Sequence, residues 1–356
     1  MLPVTKPYLP NIGKYKKYID EIFDSCHLTN SGPLLQKLEV RLAEYLGVKH
    51  VICVANGTLA LQVAYKALGL RGKVITTPFS FAATSSSLIW EGLEPVFCDI
   101  DENTFNLDPR LINELIDDDT SCILPVHVFG NPCEVKKIET IAKEHNLKII
   151  YDAAHAFGVD YLGKSLVSYG DISTVSFHAT KLFHTIEGGA VITDCDEIAT
   201  KARRLINFGI QNGELVDRHG TNAKMNEFEA AMGLCVLDDI EQIKKARSEL
   251  VVAYDALLPS NVQRQQLSQE ASQLLSYMPI KLDSEEQLKR VKLNLENNGV
   301  FPRRYFYPSL DTTYSDSNEV TKSQQLASRI LCLPLYVDMT PEDVKLISLI
   351  LAGALE

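Results

Sequence analysis

Over about the first two-thirds of the chain, short apolar runs alternate with longer stretches in which apolar positions recur every three or four residues. The runs predict strands at His50–Val54, Val74–Thr77, Val96–Asp99, Cys122–Val126, Lys148–Asp152, Ile172–Phe177 and Ala190–Thr193. Most are β-branched and lack polar alternation, as strands covered on both faces do. Between them lie helical patterns such as Thr58–Leu68, where Leu59, Val63 and Ala67 share one face and Gly69 stands beyond the end. This alternation predicts an α/β fold with a seven-stranded, mainly parallel sheet and helices on both sides.

After about residue 235 the texture changes. Ile240–Leu258 reads as a long amphipathic helix, followed by a polar stretch near Ser260–Ser272, a strand at Tyr277–Ile280 and a helix at Ser284–Glu296 closed by Gly299. A strand at Val300–Tyr305 comes next, and Thr340-Pro341 looks like a capped helix start. The expectation is a large domain over 1–235 and a smaller α+β domain over 236–356.

The formal net charge of −11, with no Lys/Arg run, argues against nucleic acid or an anionic membrane as partner. The eight cysteines form no CxxC pair, and no Cys/His spacing fits a zinc site, so no metal is expected. Several lie inside apolar runs, where a thiol behaves as a small hydrophobe, and a reducing, cytoplasmic setting is expected. The N-terminal MLPVTKPYLP has no signal-peptide pattern, and no window approaches the roughly 20 apolar residues of a spanning helix.

Four segments carry candidate chemistry. Asp152 ends the strand Lys148–Asp152, and in open parallel sheets ligands sit beyond such ends. A carboxylate there either holds a protonated pyridine nitrogen or caps the following loop. In SFHATKLFHTIEGG, Lys181 follows a strand and precedes Glu187-Gly188-Gly189. Such a lysine either forms a Schiff base with an aldehyde or sits on the surface. In CVANGTLALQVA, a strand leads through Asn56-Gly57-Thr58 straight into a helix, whose free N–H groups suit a phosphate or are simply capped by Asn56 or Thr58. Phe81, just after a strand, can stack on a flat heterocycle or pack in the core.

Taken in order, LTNSGPLLQKLE, ANGTLALQ, TTPFSFAAT, PVFCDIDENTFNLDP, PVHVFGNPC, YDAAHAFG, SFHATKLFHTIEGG, NFGI, GTNAKMNEFEAAMG and CLPLY resemble the DegT/DnrJ/StrS family of sugar aminotransferases, within the fold-type I enzymes that use pyridoxal 5'-phosphate. The resemblance covers almost the whole chain. It implies Lys181 as the Schiff-base lysine, Asp152 as partner of the pyridine nitrogen, His155 near the ring's phenolic oxygen and Phe81 stacked on the ring. It implies Gly57, Thr58 and Ser176 as the phosphate cradle, and Asn222 reaching the phosphate from the partner subunit of a homodimer. His178 and His184, flanking Lys181, and His127 are read as structural or orienting. The presence of Lys181 favours transamination over the related dehydration, and Thr185-Ile186-Glu187-Gly188-Gly189 resembles members acting at C-4 of the sugar. The implied reaction moves the amino group of L-glutamate to a nucleotide-linked 4-keto-6-deoxy sugar, with the cofactor cycling through its pyridoxamine form. A C-3 enzyme, a GDP- or UDP-sugar enzyme, or a non-catalytic regulator are the alternatives. Lys6, Tyr8, Thr29, Asn30, Arg204, Tyr305 and Tyr307 are candidates for sugar or nucleotide contact. Arg303 and Arg304 are candidates for the diphosphate, since a guanidinium fork suits phosphate oxygens.

Overall fold

The computed structural model describes residues 1–314 and 320–355. Seven strands form one sheet in the spatial order His50–Val54, Gly189–Thr193, Ile172–Ser176, Lys148–Asp152, Thr120–Leu124, Lys73–Thr76 and Glu94–Phe97. Gly189–Thr193 is antiparallel to both its neighbours. The remaining pairs are parallel. Parallel neighbours need a long crossover, whereas an antiparallel pair can be joined by a loop. The segment 177–188 is such a loop, and it hangs over the carboxyl end of Ile172–Ser176, beside that of Lys148–Asp152. Lys181 is in it.

The strands are almost wholly buried, as their unalternating sequences predict. Gly57–Leu68 lays Ala60, Leu61 and Ala64 against Ile52, Val54 and Val191 on one face of the sheet. On the other face, Leu38 and Leu42 of the helix Pro33–Leu46 join Cys53, Val175 and Ala190 in the large core. The edge strand begins at Glu94, two residues before the predicted Val96, and contains Pro95. An outermost strand tolerates a residue without an N–H.

In the C-terminal part, Met278–Lys281 pairs antiparallel with Ile330–Leu333, and Ile240–Leu257, Glu285–Asn297 and Pro341–Leu355 pack around them. Thr340 caps the last helix: Asp343 N–H donates to its hydroxyl at 3.2 Å and Thr340 N–H donates back to the Asp343 carboxylate at 2.8 Å. The strand predicted over Val300–Tyr305 stops at Phe301. Pro302 cannot donate to a ladder, and beyond it only Arg303 bridges to Cys332. The freed residues around Tyr305 instead line the cavity described below. The start of the chain joins this C-terminal layer, with Leu2–Pro3 pairing to Val300–Phe301.

Candidate active site

A cavity of about 360 Å³ opens where the parallel strands end. Asp152, 6% exposed, reaches it from the end of its strand. Thr84 Oγ1 donates to Asp152 Oδ2 at 2.8 Å, and the Ala154 N–H donates to Oδ1 at 3.2 Å. Ser80 Oγ lies 2.7 Å from Thr84 Oγ1. The Thr84 hydroxyl hydrogen is committed to the carboxylate, so Ser80 is the donor in that pair. Burial pushes the Asp152 carboxyl above its ordinary range, opposed by these hydrogen bonds and by the charge of Lys181. A carboxylate placed this way is stabilised by a cation arriving in the cavity.

Lys181 lines the same cavity and its Nζ donates to the Tyr277 hydroxyl at 3.2 Å. Enclosure by protein lowers its pKa to about 8, against the opposing pull of Asp152 and Tyr305. A lysine shifted this far has a sizeable neutral fraction near neutral pH and is a competent nucleophile and base.

His155 is held as a neutral imidazole. Its ring stacks on Phe306 at 5.6 Å, with 3° between planes, and Tyr277 meets it edge-on at 4.7 Å. The Phe129 N–H donates to His155 Nδ1 at 3.2 Å, which leaves Nε2 to carry the proton. Burial lowers the His155 pKa well below its usual value. Phe129 adopts φ +57°, uncommon for a residue with a side chain, and the aromatic contacts of Phe79 and Phe306 hold it there.

The same cavity holds an anion cradle. Asn56 caps the helix Gly57–Leu68 by accepting the Leu59 N–H at 2.9 Å, which leaves the Gly57 and Thr58 N–H groups facing outward from the first turn. Ser176 adjoins them: a Cβ on Gly57 would stand 3.0 Å from Ser176 Cβ. Gly189 matters equally, since a Cβ there would meet the Val175 carbonyl at 2.7 Å and Gly57 N at 2.8 Å. Phe81, 56% exposed, lines the cavity as N-cap of the helix Ala82–Trp90.

Gly57, Thr58, Phe81, Asp152, His155, Ser176, Lys181, Arg303 and Tyr305 therefore share one cavity. Asn56 and His178 line it too, and most of the other residues singled out from sequence lie elsewhere. Lys6 pairs with Asp338, and Tyr8 donates to Asp239 at 3.0 Å. Thr29 and Asn30 are exposed in the loop before Pro33–Leu46. Arg204 belongs to the helix Asp196–Leu205, with its Nε buried and unpartnered. Arg304 turns away from the cavity: it pairs with Glu285 at 3.0 Å and its guanidinium lies 3.4 Å over the Tyr307 ring. Asn222 is exposed and is not among the residues lining its own chain's cavity. His178 lines the mouth, tied to Thr180 at 2.8 Å and Glu187 at 3.5 Å. His184 bonds the Tyr8 carbonyl and the Ile186 N–H, so both its nitrogens are occupied by backbone. His127 stacks on Tyr151 at 4.6 Å and accepts the Cys133 N–H, buried with its pKa lowered to about 3. Sequence reasoning misses Thr84, Ser80 and Tyr277. The first two lie in the TTPFSFAAT segment, while Tyr277 stands in the C-terminal part, just before the strand Met278–Lys281, with no local pattern to mark it.

The donor set fits pyridoxal phosphate: a phosphate-sized cradle at a helix N-terminus, an enclosed lysine for an aldehyde, a buried carboxylate for a pyridinium nitrogen and an aromatic face at Phe81. Together with the sheet order, this defines a pyridoxal-phosphate enzyme of fold type I. The chain belongs to the DegT/DnrJ/EryC1/StrS aminotransferase family, which it matches over residues 12–351, and is a nucleotide-sugar aminotransferase. It is 41% identical to a dTDP-4-amino-4,6-dideoxy-D-glucose transaminase of Shigella dysenteriae, over 97% of this chain and 96% of the relative. It is 31% identical to a GDP-perosamine synthase of Vibrio cholerae, over 97% of this chain and 96% of that protein. Among solved structures, DesI in the presence of its TDP-sugar product superposes with a TM-score of 0.94 at 34% identity, covering 99% of this chain and 93% of DesI.

Proposed function

We propose that this enzyme moves the amino group of L-glutamate to C-4 of a nucleotide-linked 4-keto-6-deoxy sugar, with dTDP-4-keto-6-deoxyglucose as the preferred acceptor. The observation that carries the reading is that Lys181 and Asp152 line one cavity together with the Gly57–Thr58–Ser176 cradle. The likeness to the dTDP-sugar transaminases supports the choice of acceptor. The sequence from Thr185 to Gly189 supports attack at C-4.

When bound, pyridoxal phosphate supplies an electron-withdrawing ring and a carbon that carries the amino group from donor to acceptor. The work of the chain is distinct. The Gly57 and Thr58 N–H groups and the Ser176 hydroxyl hold the phosphate. Asp152 keeps a pyridine nitrogen protonated, supported by Thr84 and Ser80. His155, with its Nδ1 occupied by the Phe129 N–H, would offer Nε2–H to the ring oxygen. With that group held there, Lys181 Nζ would act as the general base and acid, taking the α-proton of the amino acid in one half of the exchange and returning a proton in the other. Arg303, lining the cavity from the small domain, meets the diphosphate.

The active unit is a homodimer in the cytoplasm. Asn222 is exposed and its backbone bridges to Asn207, next to Phe208, which is 49% exposed; Leu215 and Val216 are 71% and 52% exposed. Such apolar exposure favours a partner subunit. Eight free cysteines, six of them buried, favour a reducing compartment. Among the described residues no helix is long and apolar enough to cross a membrane.

The test is Lys181→Ala. The variant is expected to fold, to lose the visible absorbance of the lysine-bound cofactor, and to form 2-oxoglutarate from glutamate about 10³-fold more slowly or worse. Turnover equal to that of the native enzyme would overturn the assignment.

A further inference from the structure

We infer that Tyr277 is a positioning residue for Lys181, whose hydroxyl holds the free amine in place during the steps in which that amine is not bonded to the cofactor. The inference rests on the function proposed above.

The contact is direct, with Lys181 Nζ 3.2 Å from the Tyr277 hydroxyl and 5.7 Å from the ring centroid. Tyr277 lies 96 residues from Lys181 in sequence and comes from the small domain, immediately before the strand Met278–Lys281. Its ring is fixed on three sides: by His155 at 4.7 Å, Phe129 at 5.4 Å and Tyr305 at 5.5 Å. Its backbone is fixed as well. Arg247, 2% exposed, donates from one guanidinium nitrogen to the Leu275 and Ser276 carbonyls at 3.0 and 3.5 Å. Ser276 Oγ donates to the His155 carbonyl at 2.8 Å, tying the segment to the loop that carries the cavity's imidazole.

A ring held by so many neighbours places its hydroxyl without a conformational search. Burial keeps the phenol protonated by raising its pKa, so Tyr277 holds the amine and does not exchange protons with it. An oxygen acceptor favours an ammonium over a neutral amine, because a hydrogen bond to the charged donor is the stronger one. The hydroxyl therefore opposes the lowering that enclosure imposes on Lys181, and keeps that amine able to take up the proton it must carry.

Tyr277→Phe removes the oxygen and retains the ring contacts. The full-length chain is stripped of cofactor, pyridoxal 5'-phosphate is added back, and the growth of absorbance from the lysine-bound cofactor is followed against pH. Imine formation needs the neutral amine. The expected result is that the midpoint of this profile moves to lower pH by about half a unit or more in the variant. In the reloaded enzyme kcat falls roughly 10-fold, as loss of one hydrogen bond to a charged donor implies, while KM for the sugar nucleotide is unchanged. A profile superimposable on that of the native protein overturns the inference and leaves the proposed function standing. Absence of any such absorbance in both proteins overturns the proposed function itself, and the inference with it. A packing role alone would lower stability without moving the midpoint.

Discussion

Two charges decide what Asp152 and Lys181 can do, and each shapes the other. Enclosure works against both: it raises the carboxyl and lowers the amine, while their mutual attraction opposes both shifts. With its pKa lowered to about 8, Lys181 gains its neutral form as pH rises through about 8, well below the usual lysine value of 10.5. Capture of pyridoxal phosphate by the stripped protein is therefore expected to accelerate across that range and level off above it, as stopped-flow absorbance would record. Asp152→Asn removes the charge that supports the ammonium, so enclosure acts with less opposition and the midpoint moves further to the acid side. The same variant cannot hold a pyridinium proton by charge, and turnover with glutamate is expected to fall about 100-fold or more with cofactor still bound. Full activity in Asp152→Asn, measured as 2-oxoglutarate formed, would remove this carboxylate from the chemistry.

At the scale of elements, the site depends on close approach between backbones. Gly189 opens the antiparallel strand directly against Asn56 and Gly57, where any Cβ would stand 2.8 Å from Gly57 N. Gly189→Ala is expected to displace the start of the cradle helix and weaken pyridoxal phosphate binding at least 10-fold in an equilibrium titration. A second joint is farther away. Glu227, 1% exposed, accepts the Leu34 and Leu35 N–H groups at 2.8 and 2.9 Å and so caps the helix Pro33–Leu46 from another element. Glu227→Ala leaves two helix-start donors without an acceptor and is expected to cost about 2 kcal/mol, visible as a lower urea midpoint.

These elements also show how far a sequence can be read. The sheet strands are legible because doubly covered strands need unbroken apolar runs, and Asp152 and Lys181 are legible because each ends or follows such a run. The strand predicted through Tyr305 fails at Pro302, whose missing N–H outweighs the β propensity of its neighbours. Arg303 and Arg304 are indistinguishable as adjacent letters. Only the fold shows that the first lines the cavity while the second is held by Glu285. Tyr277 is invisible for a related reason: a contact between residues this far apart along the chain leaves no periodic trace in either segment.

At the scale of the whole molecule, one residue that the family resemblance assigns to the phosphate site, Asn222, does not line the cavity of its own chain. Asn222 lies on the surface while its neighbour Ala223 is buried, with the Ala223 carbonyl accepting the Ala55 N–H at 2.9 Å beside the cradle. The backbone next to Asn222 is thus anchored at the site's edge while its side chain is free to serve elsewhere. In a two-fold dimer each chain presents the same patch to the other, so a residue lent by one chain is returned by its partner. This reciprocity gives a prediction that activity alone in one variant cannot imitate. Lys181→Ala chains lack the amine but carry Asn222, and Asn222→Ala chains lack the amide but carry Lys181. Each variant alone is expected to be impaired, the first far more severely. After mixing, unfolding and refolding together, random pairing makes half the dimers mixed, and each mixed dimer has one site with both residues intact. Roughly a quarter of all sites should then behave as native sites. Activity above the average of the two separate variants, appearing only after exchange of subunits, supports sharing across the interface. Activity equal to that average would place Asn222 outside the partner's site.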